Sequence, residues 1–225
     1  MDVNKKVTKN FYYCTFILFF INFSTKSFGQ QLVPYQISKD VSIQIPQEFI
    51  VVNTLDQNII RAPLEDEALL IMNSSKKSAS YIEDKDELLK FYEDFQTGML
   101  DETKGQLITK SFVQINGLYF LKSSFRTKIS DADKIWHNYL LLLDKTSYTF
   151  ILMGSPENTK NTKFFEEKII PSITFRKGLN QENQFNTNTE DSPAYNIGKL
   201  AGTLSVYGLA GGLILFFILR NRKSK

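Results

Sequence analysis

Residues 197–219 read IGKLAGTLSVYGLAGGLILFFIL, and Arg-Asn-Arg-Lys-Ser-Lys follows at once as 220–225. A helix of about 20 apolar residues crosses the ~30 Å hydrocarbon core of a bilayer, where only helices and closed barrels satisfy every backbone group. The run therefore predicts a transmembrane helix over 197–219. Arg220, Arg222 and Lys223 predict that the tail behind it is cytoplasmic, because basic residues are retained on that side.

The other end of the chain agrees. Lys5, Lys6 and Lys9 form a basic stretch, Phe11–Phe23 is a 13-residue apolar segment, and Ser27-Phe28-Gly29-Gln30 places small residues where a signal peptidase needs them. This pattern predicts a signal peptide over 1–29, cleaved after Gly29, with an uncleaved signal anchor as the alternative. In either case Lys5, Lys6 and Lys9 stay inside and the middle of the chain is exported. The expected location is the inner membrane of a bacterial cell, single-pass, with a periplasmic domain and a cytoplasmic C-terminus. Cys14, the only cysteine, lies in the apolar segment, so a processed chain has no disulfide and no thiol chemistry.

Charge is divided by region. Residues 1–29 carry four lysines and one aspartate, 30–196 carry 18 basic against 23 acidic residues, and 197–225 carry five basic residues and no acid. The basic excess belongs to the ends, where it sets topology. The acidic middle has no basic patch for nucleic acid, which is excluded as a partner.

Val41, Ile43 and Ile45 alternate before Pro46, predicting two short strands within Tyr35–Phe49, with a second pair at Asn58–Pro63 and Glu67–Ser74. Asp84 to Glu87 is an acidic helix start, and Leu88, Phe91, Tyr92, Phe95 and Met99 recur at helical spacing up to a stop at Gly105. From 106 to 154 the period becomes two. Asn116-Gly117 suits a type I′ hairpin turn, and the Leu140–Leu143 run suits a strand covered on both faces. Four strands joined by short turns make an antiparallel meander. Ser155-Pro156-Glu157 predicts a last helix start, with Phe164, Phe165, Ile169 and Ile170 as its apolar face and Ile173-Thr174-Phe175 as a closing strand. Residues 177–196, rich in Asn, Gln and Thr, predict a flexible polar stalk. The expected fold class is α+β, an antiparallel meander flanked by helices, plus one C-terminal transmembrane helix.

This order of elements, with Ile45-Pro46-Gln47-Glu48-Phe49 early and Ile169-Ile170-Pro171-Ser172-Ile173-Thr174-Phe175 late, resembles the PsbP-like fold shared by photosystem extrinsic subunits and DcrB-like periplasmic lipoproteins. The resemblance covers roughly residues 34–176. It implies an α/β/α sandwich in a binding or accessory role rather than an enzyme. Phe49 stands where relatives often place Trp, and the C-terminal anchor is a departure. No site residues are carried over.

Little in the chain points to catalysis. His137 is the only histidine, with Trp136 and Tyr139 nearby and Asp131 and Asp133 upstream, but no nucleophile-elbow motif accompanies it. Zinc lacks ligands. Glu65-Asp66-Glu67 and Glu83, Asp84, Asp86 and Glu87 lack the alternating ligand pattern of a calcium loop and read as a solvated turn and a helix cap. No metal or cofactor is expected. Gly198, Gly202, Ser205, Gly208 and Gly212 place small residues along one face of the membrane run, where helix backbones can approach closely. That stripe is the candidate contact with a second copy or another membrane protein, and the bilayer is the other partner. The expected function is a non-enzymatic binding or accessory module. The alternatives are an envelope hydrolase with an unrecognised site and a subunit of a membrane complex recruited through the stripe.

Overall fold

The computed structural model describes residues 31–53, 57–74, 82–129, 131–185, 198–203 and 205. Two antiparallel runs, β3 (Ile50–Asn53), β4 (Gln57–Leu64), β5 (Glu67–Ser74) and β6 (Gln106–Ile115), β7 (Leu118–Ile129), β8 (Ala132–Leu143), β9 (Thr146–Gly154), join through β5 and β9 into one seven-stranded sheet. A separate three-stranded sheet is formed by β1 (Leu32–Gln36), β2 (Val41–Pro46) and β10 (Thr174–Phe175). The fold is α+β and antiparallel, and the meander over 106–154 is as expected. The closing strand is present as β10, which pairs with β2, Thr174 opposite Ser42, in the small sheet. β3, absent from the sequence reading, forms a short exposed edge.

The large sheet buries both faces because its central strands are apolar at successive positions. In β8, Leu141 and Leu143 enter one core with Phe120, Phe150 and Phe165, while Leu140 and Leu142 enter the other with Phe95, Phe125 and Trp136. The first core is closed by the small sheet and by α2 (Thr159–Phe164) with the π turn Phe165–Ile169 behind it. The second is closed by α1 (Lys85–Thr103) and Ala201.

Helix α1 starts as its acids predict. Asp84 Oδ1 accepts the Glu87 N–H at 3.0 Å, and Glu87 Oε2 accepts the Glu83 N–H at 2.6 Å, so two otherwise unpartnered donors are satisfied. Its end is one residue earlier than expected. Lys104 takes the left-handed conformation (φ 50°), and Gly105 is needed for space: a Cβ there would stand 2.9 Å from Phe125. The Asn116-Gly117 turn has positive φ at both positions, as a type I′ turn requires.

Two boundaries move. The last helix is capped by Asn158, whose Oδ1 accepts the Asn161 N–H, and not by Ser155. The Ser155 hydroxyl donates instead to the Glu157 carboxylate, and its N–H donates to Glu67 Oε1 across the sheet end. The stalk also begins later. Gln181–Gln184 form a 3₁₀ turn capped by Asn180, and Gln184 is 1% exposed. The β7–β8 ladder ends at Leu121–Leu140, a register that would next place Tyr119 opposite Leu142 as a bonded pair. Two side chains make that rung instead. The Gln184 Oε1 accepts the Tyr119 N–H (2.8 Å), its Nε2 donates to Leu142 O (3.0 Å), and the Tyr92 hydroxyl donates to Tyr119 O (2.9 Å) while accepting the Leu142 N–H (3.0 Å). An Asn/Gln-rich stretch has become part of the domain because its amide and the Tyr92 hydroxyl together meet four backbone groups that nothing else would satisfy.

Residues 1–30 and 206–225, which hold the signal and most of the apolar run, lie outside the described residues, as do 186–197 of the stalk. Among the described residues no helix is long and apolar enough to cross a membrane. Gln184→Ala strands buried backbone groups at Tyr119 and Leu142 and should cost about 2–3 kcal/mol, read by denaturant unfolding of the full chain. Exposed Glu182→Ala, in the same turn, should change stability by less than about 0.5 kcal/mol.

Candidate functional site

Of the small-residue stripe, Gly198, Gly202 and Ser205 are described, and all three face the domain itself. Residues 198–203 and 205 are helical and pack beside α1. A Cβ on Gly198 would fall on the Phe95 carbonyl, and one on Gly202 would stand 3.1 Å from Glu102 Cβ and 3.3 Å from Met99 O. Ala201 and Ser205 are buried, and Lys199 Nζ lies 3.9 Å from Glu102 Oε2. The stripe therefore does what small residues allow, a close approach of two helix backbones, but its outer half does so within one chain. Gly208 and Gly212 lie outside the described residues, as do Lys5, Lys6, Lys9, Arg220, Arg222 and Lys223. A hollow between Ala201, Phe95, Met72, Gln57 and Thr149 has room for about one water.

The chain's titratable groups meet elsewhere, on the opposite face of β7 and β8. His137 Nδ1 lies 3.1 Å from Ser124 Oγ and its Nε2 3.2 Å from Thr162 Oγ1. Beside them Lys122 pairs with Glu166 at 2.8 Å and lies 5.6 Å from the centre of the Tyr139 ring. The π turn sets this up. It puts Phe165 edge-on to Tyr139 at 5.7 Å and holds the next residue, Glu166, against Lys122. Burial lowers the His137 pKa, which the Glu166 charge opposes and the Lys122 charge reinforces. For Lys122, burial is outweighed by its bonds to Glu166 and Tyr139, and its pKa is raised.

This is a Ser–His contact without the rest of a nucleophilic site. Ser124 is 8% exposed, and both imidazole nitrogens are occupied by hydroxyls, so no carboxylate orients the ring. Asp133, the nearer of the upstream acids, is exposed and four residues along β8, about 13 Å away at strand rise. Among the described residues no group of three His, Cys, Asp or Glu could hold a metal ion. Glu83, Asp84 and Glu87 belong to the cap of α1. Asp66 bonds Asn158 and Glu65 pairs with Lys160.

Glu67, expected with Glu65 and Asp66 in a solvated turn, is instead buried at the start of β5. At 7% exposure it sits under Gly154, where any Cβ would strike its carboxylate, and its Oε2 has no hydrogen-bond partner. Burial raises its pKa against the bonds from Asn161 and the Ser155 N–H. The signal was an acid opening a strand whose next five residues, Ala68–Met72, are all apolar.

No family model matches the chain, and no curated protein matches it. Solved structures similar to it include cyanobacterial PsbP (CyanoP) from Synechocystis sp. PCC 6803, at 14% identity and a TM-score of 0.49 over 68% of this chain and 98% of that one. They also include the Ran-binding protein Mog1p of Saccharomyces cerevisiae, at 10% identity and 0.41 over 70% of this chain and 100% of that one. A third is PA94 of Pseudomonas aeruginosa, titled a putative regulator, at 10% and 0.38 over 59% and 89%.

Because the folded chain retains the Glu67 proton where the unfolded chain has lost it, the stability tied to that proton is present at low pH. It is lost as pH rises from about 4.5 through the raised folded value. Glu67→Gln keeps an acceptor for Ser155 and cannot ionise. Its melting temperature relative to the parent should rise as pH goes from 4 to 7, and a constant difference across that range would contradict the assignment.

Proposed function

We propose that this chain is a single-pass membrane protein of a bacterial envelope, exported by its N-terminal signal and anchored by residues 197–219, with its α+β domain outside as a non-enzymatic binding or accessory module. The observation that carries the reading is the apolar run with a basic stop at Arg220, Arg222 and Lys223, matched by Lys5, Lys6 and Lys9 at the other end. The side-chain chemistry supports the second half. His137 is saturated by Ser124 and Thr162, Lys122 is paired with Glu166, and the hollow beside Ala201 is too small for a substrate. Recruitment into a membrane complex is the second reading. It is favoured by Gly208 and Gly212, which extend the small-residue face past the part that α1 occupies.

Topology tests the proposal. With an epitope placed after Lys225, protease added to intact spheroplasts should digest the domain and leave a small membrane-bound fragment carrying the epitope. An intact domain, or loss of the epitope without lysis, would refute the orientation. Replacing Arg220, Arg222 and Lys223 with Glu should lower the correctly oriented fraction severalfold.

A further inference from the structure

The 23 residues of 197–219 would form a helix about 35 Å long, enough for a hydrocarbon core of about 30 Å. The structure commits the first third of that run elsewhere. With Gly198, Ala201, Gly202 and Ser205 seated on the domain, only the 14 residues 206–219 remain for lipid, a length of about 21 Å. Arg220 then blocks extension at the far end. A shortfall of about 9 Å exceeds what tilt can correct, since tilt only shortens the span, and thinning costs fractions of a kcal/mol for each ångström.

The docked turns are built to let go. Ser205 Oγ donates to Ala201 O at 2.7 Å and Thr203 Oγ1 to Lys199 O at 3.0 Å, so both hydroxyls are satisfied inside their own helix and need nothing from the domain. The ties across are weak: the 3.9 Å ion pair of Lys199 with Glu102, and Ser205 against Met72 Sδ at 3.8 Å. The outward positions are mixed, with Leu200 43% exposed between Lys199 and Thr203. Small residues inward and self-satisfied hydroxyls are properties of a segment that can move to lipid, and Lys199, one turn from the outer end, can snorkel to the interface.

The geometry points to residues 198–203 and 205 serving two mutually exclusive sites, the slot between α1 and β5 of their own domain and the outer part of the bilayer. Full insertion of the span withdraws them and opens the slot over Phe95, Met99 and Met72. Docking closes the slot and leaves the span too short. The inference rests on the membrane-anchor reading above.

A cysteine pair separates the two. Glu102→Cys with Gly202→Cys, in a Cys14→Ser background, brings the two Cβ positions to 3.1 Å, a few tenths of an ångström inside disulfide range and correctable by a small shift. The full-length protein is purified in detergent, oxidised or kept reduced, and reconstituted into phosphatidylcholine vesicles. In detergent, oxidant should trap the docked state. After reconstitution of the reduced protein, the pair should close at least about tenfold more slowly, and the protein should resist alkaline carbonate extraction. Protein oxidised beforehand should remain extractable. Equal resistance of both forms would overturn the inference by showing that docking and spanning coexist. Failure of the pair to close in detergent, together with failure of carbodiimide to join Lys199 to Glu102 in the unsubstituted protein, would overturn it by removing the docked state, whereas the carbodiimide product alone would establish docking without a side chain at Gly202. Extraction of the reduced protein as well would instead defeat the anchor reading, which keeps the two failures distinct.

Discussion

The Tyr92–Gln184 rung is the contact on which the arrangement of this molecule turns. β7 and β8 separate before their ladder is complete, which would leave the N–H and C=O of half-buried Tyr119 and buried Leu142 unpaired. Each such group costs about 1–3 kcal/mol, so the end of the meander would be a point of failure. Tyr92 answers from α1 and Gln184 from the segment after β10, and the two also meet each other at 3.2 Å. One set of hydrogen bonds thereby fixes the helix to the sheet, completes the ladder and clamps the chain where it leaves the domain. Burial, with both bonds working against it, holds the Tyr92 hydroxyl protonated well above its ordinary range, so it stays a donor throughout the biological pH range.

That clamp governs the course of the chain beyond it. Twelve residues, 186–197, separate Phe185 from Gly198, and an extended chain of that length reaches at most about 40 Å. Phe185 packs on the core beneath α1, and Gly198 meets α1 at Phe95. The close approach there is possible only because Gly198 and Gly202 have no side chains.

The features legible in the sequence were those carried by local periodicity. The five apolar positions of α1 all lie in the core, the Leu140–Leu143 run divides between two cores, and Asn116-Gly117 makes the turn that its φ requirements predict. The features that escaped it depend on partners distant in the chain. Gln184 looks like solvated polar sequence until Tyr119, 65 residues away, supplies the N–H that its carbonyl accepts. Ser155-Pro156-Glu157 has the composition of a helix start, yet the Ser155 hydroxyl donates to Glu157, its N–H is held by Glu67, 88 residues away, and the cap is Asn158. The π turn that brings Glu166 to Lys122 has no composition of its own.

The glycine stripe shows the same limit in its functional form. A face of Gly and Ser at intervals of three and four states that something comes close, and it does not state what. Packing in lipid and packing on α1 make the same demand, absence of a side chain where two backbones meet. In this chain the demand is met by Phe95 and Met99 for Gly198 and Gly202. A bulky residue at Gly202 therefore acts first on the domain's own packing. On the proposed anchor reading, association in the membrane is read from Gly208 and Gly212, and a loss of partners from Gly202→Ile alone would be a consequence of displaced docking.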